Sequence, residues 1–255
     1  MSDTREKEVI RAFVDLSGEL VAGYDMVDLL SALSESCTRL LDVAATGVLL
    51  ADSRGTLGLV AASSERTRHL EVFQLQREQG PCLDCHRTGR PVLVPDLRAE
   101  AERWPDFARA AELVGYASVH AVPMRLHDRV LGAVGLFGES EGALAEDDLA
   151  LGQALAHVAT VAIVNEKAAT DASTVNAQLQ AALDSRVVLE QAKGVVSHVG
   201  DLEIDRAFTV LRRYARDHGL GLSDVARSVV GRDLPAVLLV QHARSVGVLQ
   251  PDDRS

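Results

Sequence analysis

The chain has 255 residues, 47% hydrophobic and 25% charged. That is enough apolar material for one large or two small cored domains, and too much for a disordered chain. No stretch approaches the roughly 20 uninterrupted apolar residues of a membrane span. The mixed-charge start Met1-Ser-Asp-Thr-Arg-Glu-Lys-Glu8 has no apolar signal core, so a cytoplasmic protein with no membrane partner is expected. Three cysteines, an odd number, argue against a disulfide framework.

The formal net charge of −11 is unevenly spread. Residues 1–174 hold 16 Lys and Arg against 27 Asp and Glu, whereas residues 175–255 hold ten of each. Such asymmetry marks two domains. A neutral segment attracts phosphate only through local clusters of arginine.

Residues 5–42 carry apolar side chains at three- and four-residue spacing, which predicts two helices broken at Gly23, the second capped by Asp25. The period then changes. Residues 45–51 and 57–62 read as a hairpin around the turn Asp52-Ser-Arg-Gly55. Residues 69–79 read as a helix broken by Gly80-Pro81, residues 92–94 as a short strand, and 105–114 as a helix opened by Pro105. Two strands, 118–125 and 130–137, flank the turn His127-Asp-Arg129. From Ala143 onward the pattern is helical again, with a weak coiled-coil stripe through Leu151, Leu155 and Val158. The first domain is therefore expected to be α+β, a meander of about five antiparallel strands with flanking helices.

The stretches Gly80-Pro-Cys-Leu-Asp-Cys-His86, Val94-Pro-Asp-Leu97, Trp104-Pro-Asp-Phe107, Gly115-Tyr-Ala-Ser-Val-His-Ala-Val-Pro123 and Leu131-Gly-Ala-Val-Gly-Leu-Phe137 resemble the GAF family of small-molecule sensor domains. The resemblance covers residues 20–168 and implies an unidentified small-molecule ligand. Cys82, Cys85 and His86 lie within five residues of one another, and His120 alternates with small apolar residues in a strand. These four are candidate sensor, redox or metal-binding residues, with packing as the alternative for the thiols. No pair of catalytic acids, phosphate loop or nucleophile elbow is present, so no enzymatic role is expected.

A linker is expected at 169–178. Beyond it, Val188, Ala192, Val195, Val196 and Val199 form one stripe of a helix ending at Gly200, and Asp201 is a plausible cap for the next. In that next helix, 203–218, Ile204, Ala207, Phe208, Leu211 and Ala215 share a face, with Arg206, Arg212, Arg213 and Arg216 opposite. Ser223 is read as capping a third helix through Val230. Arg186, Glu190-Gln-Ala-Lys-Gly194, Ala207-Phe208, Leu211-Arg212, Ala215 and Val225-Ala226 resemble the ANTAR family, all-α three-helix RNA-binding output domains of antitermination regulators. This resemblance places the domain at 179–240 and implies paired RNA stem-loops with six-base loops as the partner. It makes Arg186, Lys193, Arg212 and Arg213 candidate RNA contacts, with Arg216 on the same face. Two hairpins imply two readers, so a homodimer through the 143–185 helix is expected. The alternatives are a DNA-binding helix-turn-helix and a GAF-type thiol reductase.

Overall fold

In the computed structural model the described residues are 2–18, 25–52, 54–165 and 173–249. The chain divides into two compact units, Met1–Gly23 with Leu29–Gln180, and Tyr24–Asp28 with Ala181–Ser255.

In the first unit, helices α1 (Ser2–Gly18) and α2 (Met26–Leu40) lead into strands β1 (Ala45–Ala51) and β2 (Leu57–Ala62). The β1–β2 turn is tied by Asp52, whose Oδ1 accepts from the N–H groups of Arg54 and Thr56. Helix α3 (Glu65–Arg77) is capped by Ser64, whose side chain accepts from the Thr67 N–H. Helix α4 (Pro81–Thr88) follows at once. The break expected at Gly80-Pro81 is present, since α3 ends at Arg77, but the same pair also opens a helix that was not expected, proline being tolerated at the first position where no intrahelical N–H is needed. Strand β3 (Val92–Val94), helix α5 (Pro105–Leu113) and strands β4 (Ser118–Leu126) and β5 (Arg129–Gly138) complete the sheet, and α6 (Glu146–Asn165) packs on β4.

The strand order is β2-β1-β5-β4-β3, with every pair antiparallel. The α+β class is as expected, but the sheet is not a meander, because β1 pairs with β5 across most of the unit. One face carries α3, α4 and α5 over two clusters, one around Phe107, Tyr116 and Phe137, the other around Leu49, Cys82, Cys85 and Ala121. The other face meets α2, where Ser34 donates to the Thr46 carbonyl, and α6, where Gln153 donates to that of Pro123. Glu146–Val164 is long and apolar enough to cross a bilayer. Its Leu155, Ala156, Ala159, Ala162 and Ile163 are fully buried, so its apolarity is that of a core helix.

The second unit contains the body of α7 (Ser173–Gly200), then α8 (Ile204–His218), α9 (Leu222–Val230) and α10 (Ala236–Ser245). The expected linker falls partly on residues 166–172, outside the described residues, and from Ser173 the backbone is already helical. Helix α7 buries Leu189, Ala192, Lys193, Val196 and Gly200 while Val195 and Val199 are exposed, which corrects the stripe read from sequence. Asp201 does not cap α8. It adopts the left-handed region, φ 53°, and closes α7, with the Leu202 N–H bonded back to Ser197. Ser223 does not cap α9, which starts at Leu222 behind Gly221. Asp25 serves instead. Its Oδ1 accepts from Val27 N–H at the head of α2, and its Oδ2 from Ser223 N–H at 2.5 Å. Helix α10 is a fourth helix, beyond the three expected.

Gly132 sits in β5 opposite Leu50, and a Cβ there would lie 2.0 Å from the Leu49 carbonyl oxygen. Backbone cannot yield as a flexible side chain does. Gly132→Ala is therefore expected to cost roughly 1–3 kcal/mol or more, read as a lower midpoint in urea denaturation.

Candidate functional site

Helix α8 is amphipathic. Ala207, Val210, Leu211 and Ala215 are buried, and Arg206, Thr209, Arg213 and Arg216 recur at three- and four-residue spacing on the open side. Arg206 and Arg216 are exposed and Arg213 is partly so. Arg213 Nε donates to Asp217 at 2.6 Å, and the same carboxylate oxygen lies 2.8 Å from His242 Nε2. These two bonds hold the Asp217 carboxyl below its usual range, Arg213 acting more strongly. Beside them Tyr214 stacks on His218 at 4.0 Å, and His242 of α10 meets both rings edge-on.

The other candidate contacts lie elsewhere. Lys193 is only 6% exposed, is 3.3 Å from the Glu190 carboxylate, and stands over the Phe208 ring at 5.8 Å. Arg212 sits at the edge of the open face with its Nε 3.1 Å from Asp28, which belongs to the same unit. Burial raises the Asp28 pKa, and Arg212 opposes that rise. Arg186 is half-buried on α7. The ring cluster goes beyond what the sequence indicates. Tyr214 and His218 are visible as a helical i,i+4 pair, but His242 arrives only through α10.

In the first unit the polar centre is Glu71, with no exposure. Gln74 Nε2 donates to one carboxylate oxygen, and Cys82 Sγ to the other at 3.6 Å. The Cys82 N–H returns to Gln74 Oε1 at 3.3 Å. Thr67 Oγ1 and Tyr116 OH pair at 2.6 Å on the same side of the sheet. Gly47 and Gly135, register partners on β1 and β5, leave room for the carboxylate. A Cβ on either would lie 2.5 or 2.7 Å from Glu71 Oε1. Sequence reasoning does not single out Glu71 and Gln74, because polar residues on a helix ordinarily face solvent.

Cys82 and Cys85 are fully buried on α4. Desolvation, and for Cys82 also the adjacent Glu71, pushes the Cys82 thiol well up, while burial raises Cys85 to about 12. A thiol held protonated is a poor nucleophile and a poor metal ligand. His86 is half-buried on the same helix, and burial lowers its pKa. His120 does not join this group. Its register partner Leu136 faces Gly152 of α6, whereas Ala121 packs with Cys82 and Cys85 on the opposite face. Among the described residues no three His, Cys, Asp or Glu side chains are placed to share a metal ion.

A model of the GAF domain matches residues 24–164, and a model of the ANTAR domain matches residues 177–230. A comparison with curated protein sequences finds no match. Among solved structures, the GAF domain of an Acinetobacter phosphoenolpyruvate-protein phosphotransferase superposes with a TM-score of 0.52 at 15% identity, over 68% of this chain and 99% of that one. A free methionine-R-sulfoxide reductase from Neisseria meningitidis, in complex with its substrate, superposes at 0.50 and 17% identity, over 65% of this chain and 92% of that one. At these identities the likeness is one of fold.

The thiols make a test of burial. At pH 8 a thiol-specific reagent should leave Cys82 and Cys85 unmodified in the folded chain and label both after denaturation. Unfolded thiols ionise near pH 9, whereas Cys85 and the buried core residue Cys37 hold their protons to about 12. Their contribution is complete below pH 9 and lost as pH rises toward 12, so the urea midpoint should fall across that window.

Proposed function

We propose, for a chain that belongs to the GAF domain family and carries an ANTAR domain behind it, that it is a sensor-governed RNA-binding regulator of transcription antitermination. ANTAR domains are RNA-binding antitermination modules and GAF domains sense small ligands. The observation that carries the reading for this chain is the open face of α8. Arg206, Arg213 and Arg216 stand in a row there beside the stacked Tyr214 and His218. Arginines meet phosphates, and stacked rings suit the splayed bases of RNA loops. Arg186 lies half-buried on α7, while Lys193 and Arg212 act from positions already engaged with Glu190 and Asp28, as shaping residues for it.

The signal is a small ligand bound by the first unit. The redox alternative loses support because both thiols of α4 are buried and held protonated, and the reductase reading loses it for the same reason. The helix-turn-helix reading has a weaker basis. Helix α9 buries Leu222, Ser223, Val225, Ala226 and Val229, which leaves few side chains to read base edges. The partner is a pair of RNA stem-loops, met by a homodimer. Support for pairing comes from α7, where Val187, Val195 and Val199 are exposed on one side of the helix.

Arg213→Ala with Arg216→Ala is expected to weaken binding to a tandem hairpin RNA roughly tenfold or more, measured by fluorescence anisotropy. The slope of log affinity against log salt should shrink by about one for each phosphate no longer neutralised. Arg54→Ala, on the hairpin of the first unit, should change neither. Unlabelled duplex DNA competing as well as the RNA would overturn the RNA reading in favour of the helix-turn-helix. Light scattering at micromolar concentration should report a dimer, and Val195→Glu with Val199→Glu should shift it to monomer.

A further inference from the structure

Helix α10 lies beyond residues 177–230, the span that the ANTAR model matches, yet it packs on the arginine helix α8. Ala236, Leu239, Val240 and Ala243 form its buried side. His242, next to Ala243, therefore comes to the edge of that side, where its ring is partly exposed. There His242 Nε2 and Arg213 Nε converge on one oxygen of Asp217, Oδ2, at 2.8 and 2.6 Å. A carboxylate only accepts, so Nε2 carries the hydrogen and the neutral ring keeps its lone pair on Nδ1.

Among the described residues, the charged and titratable groups that meet the His242 ring all come from α8. They are the Asp217 carboxylate, the Arg213 guanidinium behind it, and the rings of Tyr214 and His218. Helix α7 approaches α10 at Gly200, opposite Val240, which is an apolar contact. The Asp217 carboxyl, held low by Arg213 and then by His242, is ionised at neutral pH. Arg213 is permanently charged. Histidine is the side chain that ordinarily changes charge between about pH 5 and 8. With a neutral imidazole, Arg213 and Asp217 cancel, and the middle of the row Arg206, Arg213 and Arg216 offers a polyanion no net charge. A proton added at Nδ1 of His242 leaves the group with one net positive charge, and the hydrogen bond from Nε2 to Asp217 stays in place.

We propose that His242 is a positioning residue for RNA recognition. By sharing Asp217 with Arg213 it sets the charge that the arginine row presents to RNA phosphate, and RNA binding draws a proton from solvent onto its ring. A nearby phosphate favours the charged imidazole, so the extra affinity is full at mildly acid pH and lost as pH rises. The proposal rests on the RNA reading of α8 and adds to it a helix outside the matched family residues.

The test is fluorescence anisotropy of the full chain with a tandem hairpin RNA at constant salt. Affinity at about pH 6 should exceed that at about pH 8 roughly fivefold, as for a histidine pKa shifted by about one unit on binding. His242→Gln keeps an N–H for Asp217 but does not titrate, so it should lose most of that ratio. His218→Gln should keep most of it. Asp217→Asn removes the countercharge and should strengthen binding at the higher pH, where a purely structural role for Asp217 predicts weakening. The His242 imidazole resonance, followed without and with RNA, should show its titration midpoint rise in the complex. A ratio unchanged in His242→Gln, weaker binding by Asp217→Asn or an unmoved midpoint would each overturn the proposal while RNA binding itself stands. No RNA binding by the unaltered chain at any pH would overturn both the proposal and the RNA reading.

Discussion

Glu71 is an ionisable side chain with no solvent exposure, set against the middle of a β-sheet. Burying a carboxyl group without partners costs of order several kcal/mol, so everything around it is constrained to compensate. Gln74 and Cys82 supply the donors. The sheet yields the space through Gly47 and Gly135, paired across β1 and β5. The register of those two central strands and the depth at which α3 sits are thus one constraint. Gly80, at φ 143°, extends it, since a Cβ there would meet Gln74 Oε1 at 2.2 Å. That backbone turn brings α4 and its thiols over the carboxylate. The cysteines are buried because this nest must be closed, and their chemistry is quenched by the same closure.

The second unit solves a different problem. In a segment with as many acids as bases, an exposed row of arginines depends on which charges are paired elsewhere. The second unit pairs its charges selectively. Glu190 takes Lys193 and Asp28 takes Arg212, both turned toward the body of the unit, while Arg216 stands exposed on the outer side of α8. Asp217 binds both Arg213 and His242, which ties α10 to the arginine row and sets the ring cluster beside it. Small residues at Ala192, Ala207, Ala215 and Ala226, all buried, suit close helix approach.

Periodicity carried the elements well. The hairpin over 45–62 and the strand at 92–94 were legible as short apolar runs bounded by turn residues, and the α8 face by its near-four-residue repeat. Misreadings arose where one residue type serves two purposes. Pro81 breaks a preceding helix and equally opens the next. Asp201 has the composition of a cap but lies in a left-handed turn. Ser223 would suit a cap, yet a carboxylate nearly two hundred residues away in sequence, Asp25, does the work. The site was legible as a list of types. The arginines of α8 were identified, but Lys193 and Arg212 could not be known to be engaged until their acidic partners were placed. Grouping His120 with the cysteines failed because alternation along β4 sends it through the sheet to the other face.

By itself the sequence determined the two-part organisation, the α+β class of the first part, the helical class of the second and the arginine row on α8. These follow from local period, charge balance and motif spacing, which are properties of short segments. Only tertiary structure decided that β1 would pair with β5, that Glu71 would be buried on a floor of two glycines, and that His120 would lie across the sheet from the thiols. Those outcomes depend on contacts between segments distant in the chain, where the cost of burying charge and the space left by a missing Cβ select the arrangement.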